Sequence, residues 1–175
     1  MNNVVILIPS RLAATRLPKK PLLKINNISI INHVYKIANS SIVDQSYVAT
    51  GDKEIFDEVT KHGGKCILTQ SDHKTGTDRI FEAFQKLEND HIEYVINLQG
   101  DEPMLDIQDV NNLLEKTIKK KSKVSTLACE LESDEILSKK NIVKVTTNEK
   151  LIEGKLSTAT SFVGEVSISN QNVYH

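Results

Sequence analysis

The run Val4-Val5-Ile6-Leu7-Ile8 constrains this chain more than any other feature, because it is wholly apolar, rich in β-branched residues and stopped by Pro9. So short a run, with no polar residue at alternate positions, reads as a strand buried on both faces. Such a strand belongs in a sheet covered by helices on each side. The sequence that follows supplies them. Ile30, Ile31, Val34, Ile37 and Ala38 recur at helical spacing, and "SYVAT" (46–50) reads as a second strand. Asp52 stands where a helix through Lys61 needs its cap, and Gly63-Gly64 closes that helix. "KCILT" (65–69) is a third strand, and Ile80, Phe81, Phe84 and Leu87 mark a helix starting near Thr77. "YVINL" (94–98) is a fourth, and Asp106 caps a helix carrying Val110, Leu113, Leu114 and Ile118. "VSTLAC" (124–129) and "IVKVT" (142–146) read as later strands, with a short helix near 133–138.

This alternation predicts right-handed βαβ crossovers and an α/β fold with a mostly parallel sheet and helices on both faces. In such sheets ligands bind beyond the carboxyl ends of the strands. The three unusual loops, 10–20, 70–79 and 99–103, each follow a strand and therefore share that edge. Past residue 150 the pattern weakens, with strand-like alternation only around Phe162–Ile168. The expected organisation is an α/β domain over 1–150, followed by a segment over 151–175 with no independent pattern.

Charge narrows the partners. Lys and Arg number 22 against 23 Asp and Glu, so no global basic field draws the chain to nucleic acid or to a membrane surface. No stretch approaches membrane-spanning length and no signal pattern opens the chain, so a cytoplasmic location is expected. Cys66 and Cys129 are too few for a disulfide framework and are expected to be buried free thiols.

Anion binding must then come from local placement, and "PSRLAATRLPKK" (9–20) provides it. Arg11, Arg16 and Lys20 sit on a loop pinned by Pro9, Pro18 and Pro21. Guanidinium forks match phosphate oxygens bidentately, and lysine adds a point charge. A solvated basic loop would carry the same residues. In "LQGDEPM" (98–104), Gln99 offers a donor and an acceptor suited to a base edge, and Asp101 a hard oxygen suited to magnesium. A plain helix-initiating turn is the alternative there. "DHKTGTDR" (72–79) joins Gly76 to hydroxyls at a helix start, whose N–H groups suit an anion or a base carbonyl. Read blandly, Thr77 is an N-cap and Arg79 is solvated. Neither a Walker loop nor a dinucleotide fingerprint is present.

Together "IPSRLAATRLPKKPL", "VAT", "DHKTGTDR", "NLQGDEPM" and "NIVKV", in this order from Val4 to about Val145, resemble the cytidylyltransferases that activate 3-deoxy-manno-octulosonate, the CMP-Kdo synthetases. The resemblance implies a Rossmann-like, glycosyltransferase-A-like nucleotidyltransferase. It would transfer CMP from CTP to 3-deoxy-D-manno-octulosonate (Kdo) with Mg2+, for lipopolysaccharide synthesis. By position, Arg11, Arg16 and Lys20 would hold the triphosphate. Thr75, Gly76, Thr77, Arg79 and Gln99 would recognise cytosine, and Asp101 would bind the metal. The implied catalytic set is Arg11, Arg16, Lys20 and Asp101. Three positions depart from the family pattern: Lys19 replaces a glycine, Gly51 an aspartate and Thr158 an arginine. Family members also continue beyond the equivalent of His175 with sugar-binding residues, a second metal-binding aspartate and homodimer contacts. Residues 151–175 would be the start of that region, cut short. Two further readings stay open: an inactive nucleotide-binding remnant, and a related nucleotidyltransferase of the CMP-sialate type.

Overall fold

The computed structural model describes residues 3–13, 17–131, 137–164 and 172–175. The chain divides into two compact units, residues 1–108 and 109–175, a division earlier than the expected boundary at 150.

The first unit is built on a four-stranded sheet. Strand β1 (Val4–Ser10) pairs in parallel with β4 (Gln45–Thr50) on one side and β6 (Tyr94–Asn97) on the other, and β4 pairs in parallel with β5 (Cys66–Leu68). The order is β5-β4-β1-β6, so the apolar run at 4–8 is central, and all five of its residues are fully buried. Burial on this scale follows from helices on both faces. Val5, Leu7 and Ala49 pack with Ile80 and Ala83 of α3 (Gly76–Lys86). Alternate residues point the opposite way, towards α1 (Ile30–Asn39) and α2 (Lys53–Lys61), whose Ile31, Val34, Ile55 and Val59 are buried. Gly63 N–H donates to Thr60 O and Gly64 N–H to Val59 O, so a Schellman motif closes α2 where the glycine pair predicts it.

Two short strands, β2 (Lys24–Ile25) and β3 (Ile28–Ser29), form a hairpin the sequence reading did not anticipate. Its turn residues Asn26 and Asn27 both have positive φ, 49° and 63°. Asparagine tolerates that conformation in a two-residue hairpin turn, so the signal was in the sequence.

Helix α4 (Ile107–Lys120) begins in the first unit and runs into the second. Asp106 Oδ1 accepts from Gln108 N–H at its start, as expected of a cap. The second unit holds an antiparallel sheet ordered β8-β7-β9, from β7 (Lys144–Thr147), β8 (Ala159–Val163) and β9 (Asn172–Tyr174). Lys144 is fully buried there, with Nζ donating to the carbonyls of Lys139 and Gly164 at 2.6 Å each. "VSTLAC" is not a strand. Among the described residues it makes one reciprocal backbone pair, Cys129 with His175. The expected helix near 133–138 lies largely outside the described residues.

The cysteines correct another expectation. Cys129 is exposed and Cys66 only half-buried, although its surroundings push the Cys66 thiol up to about 12 through desolvation, slightly offset by a hydrogen bond from the Ile67 backbone. Among the described residues no helix is long and apolar enough to cross a membrane.

Candidate functional site

Pro9, at the carboxyl end of the central strand, is the point on which the three loops meet. A Cβ built on Gly100 would lie 2.7 Å from the Pro9 carbonyl oxygen, and one built on Gly76 would lie 3.3 Å from the Pro9 ring. Gly100 therefore admits the "QGDEP" turn against β1, and Gly76 brings the N-terminus of α3 to the same residue.

The basic loop arrives from the other side. Leu12 N–H donates to Asp52 Oδ2 at 2.8 Å, tying the start of the loop to the start of α2 across 40 residues. Asp52 holds the N-cap position as expected, but its carboxylate makes no capping hydrogen bond because it is spent on the loop. Lys19 Nζ meets Glu54 Oε2 at 2.7 Å, and Lys20 opens a single 3-10 turn, Lys20–Leu22. Lys20 Nζ reaches Asp101 Oδ2 at 2.7 Å. The candidate phosphate binder and the candidate metal ligand thus neutralise one another. Both remain partly exposed, so the pair is worth about 0–1 kcal/mol and is cheaply exchanged for other partners.

Arg11 is exposed at the start of the loop, close enough to Arg79 for their charges to interact. Arg16 lies outside the described residues.

At α3 the cap is Thr75, two residues before the expected start near Thr77. Thr75 Oγ1 accepts from Asp78 N–H at 3.1 Å and donates to the Asp78 carboxylate at 2.7 Å, and that carboxylate also takes Thr75 N–H. This capping box, led by the Thr75 hydroxyl, holds the Asp78 carboxyl below its ordinary value. The Thr75 hydroxyl is therefore committed within the helix terminus. Gly76 and Thr77 occupy the first two helical positions, where N–H groups lack intrahelical partners.

Arg79 departs from the solvated reading. It is only 3% exposed, and its guanidinium is engaged with the loop before α3. Its guanidinium donates to Thr69 Oγ1, to Gln70 O at 2.9 Å and to Ser71 O at 3.3 Å. Burial pushes its pKa below the ordinary arginine value, Asp52 and Glu82 oppose that, and it stays charged. One turn along α3, Glu82 grips the same loop by its donors. It accepts from Gln70 N–H at 2.9 Å and from Lys86 Nζ at 2.7 Å, and it pairs with His73 Nε2. Desolvation acts to raise the Glu82 carboxyl, but the hydrogen bonds from Lys86, His73 and Gln70 prevail and lower it to about 2. Together Arg79 and Glu82 clamp loop 69–73 against α3. Sequence reasoning missed Glu82, whose position on a helical pattern gave no hint of a partner 12 residues earlier.

Gln99 is exposed at the edge, and its Nε2 donates to Asn97 Oδ1 at 2.7 Å. Asp101 is the sequence-predicted candidate for a cation at this edge. Among the described residues no three His, Cys, Asp or Glu side chains gather as a metal cage. A lone hard oxygen fits magnesium that takes most of its ligands from phosphates and water.

Cations, a carboxylate, an amide and free helix N–H groups at one sheet edge answer the parts of a nucleotide, and the fold is that of a Rossmann-like nucleotide-binding domain. Comparison with known proteins narrows the class. The cytidylyltransferase family model matches residues 5–164, and the chain belongs to that family. A relative from Rhodopseudomonas palustris (strain BisB18), a 3-deoxy-manno-octulosonate cytidylyltransferase, is 42% identical over 144 residues, covering 82% of this chain and 59% of that protein. A relative of the same name from Rickettsia typhi (strain Wilmington) is 40% identical over 141 residues, covering 80% and 58%. The chain thus spans under two thirds of the length of these relatives. Among solved structures, a CMP:2-keto-3-deoxy-manno-octonic acid synthetase complexed with CTP superposes with a TM-score of 0.83 at 34% identity, covering 99% of this chain and 71% of that one. A cytidylyltransferase from Leptospira borgpetersenii, at 18% identity and TM-score 0.61, shares the fold.

Proposed function

We propose that this chain carries the nucleotide site of a 3-deoxy-manno-octulosonate cytidylyltransferase, transferring CMP from CTP to Kdo with release of pyrophosphate. The supporting observation is the meeting at Pro9 of the Gln99–Gly100 turn and the N-terminus of α3, with the Lys20 ammonium on the carboxylate of the next residue, Asp101. The names borne by the relatives supply the acceptor.

In this reading Arg11 and Lys20, with Arg16, hold the triphosphate oxygens. The Gly76 and Thr77 N–H groups and Gln99 face the base. Asp101 would hold a magnesium ion, which would supply charge neutralisation at the phosphates. The acceptor hydroxyl attacks the α-phosphorus and pyrophosphate leaves, a reaction that depends on positioning and charge neutralisation. The loop clamped by Arg79 and Glu82 leads into the Thr75 cap, so both residues position the base-facing turn without touching substrate. Such a reaction belongs in the cytoplasm, where CTP is made.

Pyrophosphate release from CTP, Kdo and magnesium tests the proposal. Turnover with Kdo and none with sialate is the expected result. CTP binding without turnover would confine the chain's role to the nucleotide half. Failure to bind CTP would overturn the reading.

A further inference from the structure

Asn97 has no place in the function so far, yet it holds the side chain assigned to the base. Asn97 ends β6 and pairs in register with Leu7 of β1, which packs on α3. By strand pleat Asn97 projects on that same side, where Gly76 abuts Pro9, and its hydrogen bond holds the Gln99 side chain beside it. Gln99 Nε2 donates to Asn97 Oδ1 at 2.7 Å, leaving Gln99 Oε1 without a partner among the described residues. A terminal amide has two faces of opposite character, and rotation about its last bond exchanges them. Whichever end a neighbour captures, the other end faces outward.

We propose that Asn97 is a positioning residue for base choice: by capturing Gln99 Nε2 it turns Gln99 Oε1 outward, to accept from an exocyclic amino group and refuse an exocyclic carbonyl. This rests on the proposed binding of a pyrimidine nucleoside triphosphate at this edge. A cytosine-type base offers an amino donor to Oε1 and a ring carbonyl to the N–H groups of α3. A uracil-type base sets a second acceptor against Oε1 and leaves both oxygens unpaired, a penalty larger than the hydrogen bond itself is worth. Without Asn97 the amide rotates to suit either base.

The test is calorimetric binding of CTP and of UTP, each with magnesium, to the full chain and to Asn97→Ala, Asn97→Ser and Asn97→Asp, with folding checked by circular dichroism. The wild type is expected to favour CTP, and in Asn97→Ala the ratio of the two affinities should fall by about tenfold, mainly through tighter UTP binding. Asn97→Asp should keep or raise the ratio, because a carboxylate only accepts and so holds Gln99 the same way round. Asn97→Ser serves if the alanine variant does not fold, with the same expected fall. A merely structural role would weaken both nucleotides alike and leave the ratio unmoved, which would overturn the inference while CTP binding by the wild type kept the proposed function intact. A wild type that binds neither nucleotide overturns both.

Discussion

Lys20 and Asp101 are 81 residues apart in sequence and 2.7 Å apart in space, and each occupies the place of the other's expected partner. Lys20 sits where a cation would meet the carboxylate, and Asp101 where a phosphate would meet the ammonium. On the proposed function, nucleotide and metal binding would be coupled through the opening of this one exposed ion pair. Replacing Asp101→Asn frees Lys20 and removes a negative charge from the phosphate path. CTP binding in the presence of a chelator should tighten in this variant, whereas magnesium should tighten binding in the wild type alone. Lys20→Ala should weaken binding at least about tenfold, the value of a charge-assisted hydrogen bond. Calorimetry with and without magnesium checks both. Equal magnesium responses in wild type and Asp101→Asn would remove Asp101 from the metal's ligands.

Gly100 has backbone, not a flexible side chain, in the way of any Cβ. Gly100→Ala must push the "QGDEP" turn off β1, carrying Gln99 and Asp101 with it. We expect a loss of about 1–3 kcal/mol in stability, as for other overpacked sites, together with a fall in CTP affinity. Gly51→Ala meets the Ser71 backbone at 2.6 Å and should behave similarly through loop 69–73. A Gly100→Ala protein with wild-type melting temperature and CTP affinity would mean that this contact does not set the turn.

Glu82 links pH to the stability of the same loop. Its folded pKa, about 2, lies below the ordinary 4.5. A depressed carboxylate contributes stability that is complete above the unfolded value and is lost as pH falls through the folded one. Acid should therefore erode the protein between about pH 4.5 and pH 2 through this group. Glu82→Gln should be less stable at pH 7 and show a flatter decline across that window. Urea titrations at stepped pH values measure the difference. Parallel declines in the two proteins would place the acid sensitivity elsewhere.

The sequence carried the frame of this picture because strand period, helix spacing and loop position are local signals. Val4–Ile8 announced a central strand, and the order of motifs put three loops on one edge. The side-chain partners across those loops were not legible. Nothing local distinguishes an arginine that braces carbonyls, as Arg79 does, from one that meets solvent or a ligand. Asp52 was readable as a cap, but that its carboxylate would go to Leu12 depended on where a loop 40 residues away came to rest. Thr75 and Asp78 were closer to readable, since a hydroxyl followed three residues later by a carboxylate is a capping pattern. Exposure failed where context decided it: Cys129 sits in an apolar-looking stretch yet is exposed.

Lys19 offers a test confined to one residue, since it stands in the left-handed region, with φ 56° and ψ 24°, beside an exposed ion pair to Glu54. A residue with a Cβ is strained there, whereas glycine is not. Two substitutions separate the effects. Lys19→Ala and Lys19→Gly both lose the Glu54 contact, worth about 0–1 kcal/mol at this exposure, but only glycine relieves the backbone. The glycine variant should therefore be more stable than the alanine variant by about 1 kcal/mol. Because the same backbone position joins the basic loop to the turn carrying Lys20, the glycine variant should also keep wild-type CTP affinity. Paired denaturation curves and CTP titrations decide the matter. An alanine variant as stable as the glycine one would show that the loop relaxes out of the left-handed conformation at no cost, and that Lys19 does not fix the approach of Lys20 to Asp101.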